Sequence, residues 1–359
     1  MSSAPSANAP ESLLVVRLGA MGDVIHTLYA VSALRSAFPD MRIGWAIEER
    51  WTELLAGNSA DRCGPRSPLR PVVDRVHPLN TKQWRRSLLS RTTWNELKTG
   101  FRGMREQNYV VAADFQGAIK SALVSQYAGA KLTVGMENAR EGPARIFYSR
   151  RISTKGTHVI QQYHSLAEAI ARTMLTPAKP VFPRDERAEQ SIADKLGESA
   201  RNLVILNPGA GWGAKQWPAE RFGHVAKALA HDGMIPVINS SPAEQDLALT
   251  VQRDSDGRAV PISCTIGELI ALTRRASLCI GGDTGPMHLA AALGVPVVAL
   301  FGPTDPARNR PYGTHSVVLR NPASRTSLSH TGVPDPGLRQ ITSDEVIAVA
   351  RRVLESSHG

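Results

Sequence analysis

Along this chain, short apolar runs alternate with longer stretches in which apolar positions recur at helical spacing. The runs at 13–17, 43–47, 109–113, 203–207, 235–239, 278–280 and 296–301 predict strands, and the stretches at 23–37, 219–232 and 284–293 predict helices. Strand–helix alternation of this kind signals βαβ units and a parallel sheet. The pattern starts twice, at Leu13 and again at Leu203, and the intervening 175–183 segment, with Pro177, Pro180 and Pro183, reads as a linker. The expected fold class is therefore α/β, with two doubly wound parallel-sheet domains at 13–180 and 181–340 facing each other across a cleft. A disordered tail is expected at 1–12, and a closing helix at 341–359 is expected to pack back on the first domain.

Composition narrows the partners more than the fold. With 359 residues, 42% of them apolar, the chain is long enough for two ordinary cores. The first ten residues are small and polar, so no secretory signal is read. The longest later apolar stretch, 289–301, is broken by Gly294 and Pro296 and falls short of the ~20 residues of a spanning helix. A soluble cytoplasmic protein is expected. Cys63, Cys264 and Cys279 lie far apart without CxxC spacing, against a disulfide framework or a Cys-rich zinc site. The formal charge of +10, from 42 Lys plus Arg against 32 Asp plus Glu, implies an anionic partner: phosphorylated lipid, membrane surface or nucleic acid. Basic residues concentrate at 82–86 and 145–155, where a solvated surface is the plain alternative.

Three constellations follow predicted strands, where ligands bind in open α/β sheets. The first is Gly22-Asp23, opening a helix in which His26 lies on the same side as Asp23. Aspartate there is either an ordinary cap or an acid held at a reaction site. No GxGxxG follows this strand, so a standard dinucleotide fingerprint is absent. The second is Asn207-Pro208-Gly209-Ala210-Gly211-Trp212-Gly213-Ala214-Lys215, a glycine-rich loop able to present N–H groups to phosphate with Lys215 as a point charge. It lacks the GK[ST] triplet of a Walker A loop, and a flexible loop with a surface lysine is the alternative. The third is Gly281-Gly282-Asp283-Thr284-Gly285-Pro286-Met287-His288, where Asp283 or Thr284 could cap and Gly285 leaves room for an anion over a helix start. Glu244, after the 235–239 strand, suits either ribose hydroxyls or a capping box.

Together, Arg17-Leu18-Gly19-Ala20-Met21-Gly22-Asp23-Val24, Lys215-Gln216-Trp217-Pro218, Gly282 to His288 and Phe301-Gly302-Pro303-Thr304-Asp305-Pro306 resemble the motifs of the ADP-heptose:lipopolysaccharide heptosyltransferases, a family of inverting GT-B glycosyltransferases. The resemblance holds in order and spacing from about Leu13 to about Val353. In the first domain, the pieces at 21–28, 114–122 and 139–141, with Phe147-Tyr148 and His158, look most like the members that add the first heptose to the inner-core Kdo. Pro208-Gly209-Ala210-Gly211 departs from these members, which have hydroxyl residues facing phosphate there, and looks more like those adding the second heptose.

The resemblance implies a GT-B fold and direct displacement at the anomeric carbon of ADP-heptose, with inversion and with neither metal nor cofactor. By analogy Asp23 is the base that takes the acceptor proton. A carboxylate at a helix N-terminus is dependably ionised yet weakly basic, so the proton must pass late, as the hydroxyl acidifies on bonding to carbon. Lys215 and the helix start at Thr284-Gly285 would neutralise departing ADP. Gly209, Glu244, Asp283 and His288 would complete the donor site, with Glu244 toward the ribose and His288 either on the diphosphate or orienting Asp283. A phosphorylated Kdo-lipid A acceptor implies an anion-binding first domain, for which His26, Arg85, Arg86, Lys120 and Arg140 are the candidates, with 81–91 as a mobile acceptor loop. Peripheral, charge-driven association with the cytoplasmic face of the inner membrane and domain closure around both substrates are expected. The rival of another class is a non-catalytic nucleotide- or nucleic-acid-binding protein. No RRM-type aromatic signature or zinc-finger spacing supports it, and no nucleic-acid partner is expected.

Overall fold

The computed structural model describes residues 9–58, 62–87, 90–327 and 332–356, apart from the side chains of Lys82, Arg85 and Arg86. Of the tail expected at 1–12, residues 1–8 lie outside the described residues, and Ser12 already begins the first strand. The chain divides into two compact units, Met1–Asp185 and Glu186–Gly359, the break falling just past the proline-rich stretch.

In the first unit, strands β1 (Ser12–Val16), β2 (Arg42–Glu48), β3 (Arg75–Leu79), β4 (Val111–Asp114), β5 (Leu132–Met136) and β6 (Arg150–Ile152) form one parallel sheet in the order β3-β2-β1-β4-β5-β6. Its helices are α1 (Met21–Ala37), α2 (Thr81–Arg86), α3 (Arg91–Arg105), α4 (Ile119–Tyr127) and α5 (Val159–Ala171). Every residue of β1 is fully buried, as a central parallel strand covered on both faces requires. α1 is apolar almost all round and buries nearly every residue to Arg35, because α5 covers the side that the sheet does not.

The second unit repeats the plan. Strands β7 (Leu203–Asn207), β8 (Ile235–Asn239), β9 (Val260–Ile262), β10 (Ala276–Gly282), β11 (Val297–Leu300) and β12 (Ser316–Leu319) lie parallel in the order β12-β11-β10-β7-β8-β9. Its helices are α6 (Glu186–Leu196), α7 (Ala219–His231), α8 (Gln245–Asp254), α9 (Ile266–Arg274), α10 (Gly285–Ala292), α11 (Pro306–Asn309) and α12 (Ser343–Ser356). One face of the sheet carries a core around Trp217 and Phe222, whose rings meet edge to face at 4.9 Å; the other packs Met287, Ala290 and Phe301. α12, the helix expected to return to the first domain, buries Val346, Val349, Ala350, Val353 and Leu354 against α7 and β10 to β12 of its own unit. The indole of Trp217 donates to Ile341 O at 3.0 Å and fixes the approach to this helix.

Each sheet reads 3-2-1-4-5-6 in its own strand order, which is the doubly wound α/β plan. The direction of winding reverses between β1 and β4 and between β7 and β10. Register there aligns Val16 with Asp114 and Asn207 with Gly281, so the loops that follow emerge side by side. The cysteines are unpaired: Cys63 is exposed, Cys264 half-buried and Cys279 buried in β10. Among the described residues, no helix is long and apolar enough to cross a membrane.

Candidate functional site

In the first unit, β1 delivers Arg17 and a tightly held turn to the switch point. The Leu18 N–H donates to Gln116 Oε1 at 3.0 Å, and its carbonyl accepts from the Glu48 N–H at 3.1 Å. A Cβ at Gly19 would come 2.9 Å from the Trp51 indole nitrogen, so glycine lets the turn pass. Ala20, at the N-cap position, has no side-chain acceptor to offer. Asp23, three residues on, accepts the Ala20 N–H on Oδ2 at 3.3 Å, so it does serve as half of a cap. The same Oδ2 pairs with Arg17 Nη2 at 2.5 Å.

Arg17 is itself anchored. Its side chain is 4% exposed against 35% for Asp23. Nη1 donates to Phe115 O at 2.7 Å and to Tyr163 Oη at 3.0 Å, and the guanidinium lies 5.6 Å from the Tyr163 ring centre. Burial works against its charge, but Asp23, Tyr163 and Asp114 outweigh burial and hold the guanidinium above its ordinary value. No hydrogen-bond partner of Asp23 Oδ1 occurs among the described residues. Beside this turn, Asp114 is fully buried at the end of β4 and accepts from Gln116 N, Gly117 N, Ser121 Oγ and Tyr148 Oη at 2.7 to 3.1 Å. Burial pushes its carboxyl up against the pull of these four donors. This carboxylate organises the loop before α4, where Gly117 has φ +69 and a Cβ would meet the Arg140 amide at 2.9 Å.

In the second unit, Asn207 closes β7. Its amide donates to Cys279 Sγ at 3.2 Å, and its oxygen accepts from Asn239 Nδ2 at 2.8 Å. The loop then carries Lys215 to Asp283, Nζ lying 2.7 Å from Oδ2 and 3.1 Å from the Asp283 carbonyl, with the ammonium 4.3 Å from the Trp212 ring centre. The other Asp283 oxygen meets His288 Nε2 at 2.9 Å. Burial alone would raise the Asp283 carboxyl, but His288 and Lys215 together hold it well below the usual carboxylate range. Asp283 therefore caps nothing. Thr284 takes the N-cap position, but its hydroxyl turns back to Gly282 O at 3.3 Å, so the start of α10 carries no side-chain cap. Pro286 removes one N–H from the first turn and leaves those of Gly285 and Met287 facing outward from it. Glu244 is the acid of a capping box, accepting from Ser241 N at 2.9 Å and Ser241 Oγ at 2.7 Å. A Cβ on Gly209 would collide with Glu244 Oε1, which brings these two candidates into contact.

The acceptor-side candidates fare unevenly. His26 is 4% exposed inside α1, its ring edge-on to that of His158 at 6.0 Å, so it belongs to the core rather than to a ligand-facing surface. Lys120 is half-exposed at the start of α4, where it donates to Thr81 Oγ1 at 3.2 Å and lies 3.6 Å from the buried carboxylate of Glu48, which Thr81 also contacts. Its charge is therefore already balanced. Arg140 is exposed, with its backbone against Gly117. Arg85 and Arg86 end α2, and their side chains lie outside the described residues. The first half of the segment expected as a loop at 81–91 is this helix. Arg17 and Asp114 stand in the quoted pieces at 17–24 and 114–122 without a role of their own, and Glu48 and Tyr163 were not singled out from the sequence. For Arg17 the available signal is a charge at the end of an otherwise apolar run; the others meet their partners only through the fold. Among the described residues, no group of three or more His, Cys, Asp or Glu side chains could hold a metal ion.

The profile of glycosyltransferase family 9 (heptosyltransferase) matches residues 98–332. Lipopolysaccharide heptosyltransferase 1 of Pseudomonas aeruginosa is 30% identical over 311 residues, covering 86% of this chain and 83% of the relative. The crystal structure of the family 9 glycosyl transferase of Veillonella parvula superposes with a TM-score of 0.80 at 24% identity, over 96% of this chain and 97% of that one. E. coli heptosyltransferase WaaC with ADP-2-deoxy-2-fluoro heptose superposes with a TM-score of 0.75 at 24% identity, over 95% and 99%. Both structures share the fold.

Proposed function

Because the chain belongs to glycosyltransferase family 9, the heptosyltransferases, we propose that it moves heptose from ADP-L-glycero-D-manno-heptose to the Kdo of Kdo-lipid A, as a heptosyltransferase I of lipopolysaccharide inner-core synthesis. The observation that carries this reading is the uncapped start of α10 beside the Lys215–Asp283–His288 chain. A departing diphosphate gathers negative charge as the glycosidic bond breaks. Fixed N–H groups and an ammonium already held in position stabilise that charge without reorganising. His288 acts here by orienting Asp283, which in turn holds Lys215. Glu244 and Gly209 flank the loop on the side read as ribose-facing.

On the acceptor side, Asp23 is the base. The Kdo hydroxyl oxygen bonds to the anomeric carbon from the face opposite ADP. The carbon–oxygen bond to the β-phosphate breaks with its electron pair going to ADP, and the hydroxyl proton passes to Asp23. Lys215 and the α10 N–H groups supply the charge neutralisation, and the reading calls for no metal. Relatives named for lipopolysaccharide support a lipid-borne acceptor, and the exposed basic face of α3 supports work at an anionic membrane surface from the cytoplasm.

The test is ADP release from ADP-heptose with Kdo-lipid A and, separately, with heptosyl-Kdo-lipid A. Turnover with the first alone is expected. Turnover only with the second assigns the chain to a later heptose addition, as in heptosyltransferases II and III, and release with neither overturns the proposal. Asp23→Asn is expected to lower kcat by about 10²- to 10⁴-fold, the usual contribution of a positioned general base.

A further inference from the structure

The two oxygens of Asp23 are not equivalent, and their difference assigns a task to Arg17. Oδ2 takes both protein donors, Arg17 Nη2 at 2.5 Å and the Ala20 N–H at 3.3 Å, and Oδ1 takes none among the described residues. Asp23 is a third exposed while its partner is buried, so the pair points from the core outward. Arg17 cannot swing, because its other terminal nitrogen is bonded at once to a main-chain carbonyl, Phe115 O, and to Tyr163 Oη.

We infer that Arg17 is a positioning residue for the transfer reaction: it clamps Asp23 by Oδ2 and turns Oδ1 to the acceptor hydroxyl as the atom that receives the proton. This rests on the reading of Asp23 as the base. A carboxylate on a free side chain would rotate about its last bond and present either oxygen. Clamping one oxygen fixes the lone pairs of the other, which is the geometric restriction that a proton transfer timed to bond formation requires. Such a pair also explains a costly feature. A buried guanidinium needs every partner it can find, and a chain that only needed a helix cap could supply one with serine and no buried charge. The anchor is tertiary, built from β1, the end of β4 and α5, so the base is held by the packed core of the unit and not by its own turn alone.

The experiment compares Arg17→Met, Arg17→Lys, Tyr163→Phe and Asp23→Asn in the full chain, with ADP-heptose and Kdo-lipid A as substrates. Fold is checked by thermal unfolding; kcat and donor KM are read. Arg17→Met is expected to lower kcat about tenfold to a hundredfold with donor KM unchanged, the scale of a misplaced catalytic group. Arg17→Lys keeps the charge but cannot span the three contacts, so kcat should fall with donor KM unchanged. Tyr163→Phe, which removes only one anchor, should lower kcat severalfold in the same sense. If Arg17→Met does not fold, the lysine and phenylalanine variants decide by the same readings.

Folded variants with wild-type kcat overturn the positioning role, while inactive Asp23→Asn leaves the base reading standing. An active Asp23→Asn removes the base reading itself. The two failures are therefore distinct.

Discussion

Gly209 and Glu244 show how little of a site a single residue reveals. In the sequence Gly209 is one of three glycines in a loop, and Glu244 reads equally well as a cap or a ligand contact. The fold brings them together so closely that a methyl group on Gly209 would overlap Glu244 Oε1. The capping contacts use Oε2 alone. Gly209→Ala should therefore push Glu244 out of its place and raise the KM for ADP-heptose. Combining it with Glu244→Ala relieves the overlap, so a double-mutant cycle on donor KM should be non-additive by about 1 kcal/mol or more. Strict additivity would mean the two act separately. Asp23 was legible because a strand end, a glycine and an acid fall within a few residues of one another. Arg17 was not, since its meaning depends on Phe115 and Tyr163, far along the chain. His26 shows the opposite limit: helical spacing correctly put it one turn from Asp23, but α5 covers that face and buries it.

Among the elements, β1, β2, β4, β7, β8, β10 and β11 were legible, and β3, β5, β6, β9 and β12 were not. β1, β7 and β10 are near-continuous apolar runs because helices cover both faces. β6 and β9 are three residues long with exposed positions, β3 carries Arg75, His77 and Pro78, and β12 is half-buried throughout, so none gives the apolar signal of a central strand. α3 is the element whose exposed face has most to say about partners. Thr93, Leu97, Phe101 and Met104 turn inward, while Arg91, Trp94, Lys98, Arg102 and Arg105 form an outward stripe in which Trp94 is 54% exposed. Arg105 also bonds the carbonyl of the exposed Tyr127 at 2.9 Å. Cations and an indole on one face match the charge and depth of an anionic bilayer surface, where each basic residue contributes about 1 kcal/mol. Lys98→Glu with Arg102→Glu should reduce sedimentation with phosphatidylglycerol vesicles by about tenfold or more at low salt, by the same scale, and leave ADP binding intact. Unchanged sedimentation would show that the stripe is merely solvated.

For the whole molecule, the repeated βαβ start at Leu13 and Leu203 pointed to two doubly wound units, and the fold shows that both follow the same strand order. The partner of the final helix was beyond reach from sequence, since its apolar face fits any complementary surface; in the fold it packs on α7 and β10 to β12, and Arg351 pairs with Asp232 at 2.7 Å. If the donor belongs to that unit, ADP should stabilise it by mass action, about 2.7 kcal/mol at a hundredfold excess over Kd. Hydrogen exchange should show the protection at 207–217 and 281–288 with ADP, and much less with UDP. Protection confined to the first unit would contradict the donor assignment.

The three thiols have a practical consequence. Burial pushes Cys264 and Cys279 up to about 12, and Cys279 is further engaged by Asn207, whereas Cys63 stands exposed in the first unit. A maleimide reacts with thiolate, so at neutral pH it should attach once per chain, at Cys63. Intact mass and peptide mapping check this. The native protein would then carry one fluorophore on the first unit without any engineered cysteine, ready to report on that unit as either substrate binds.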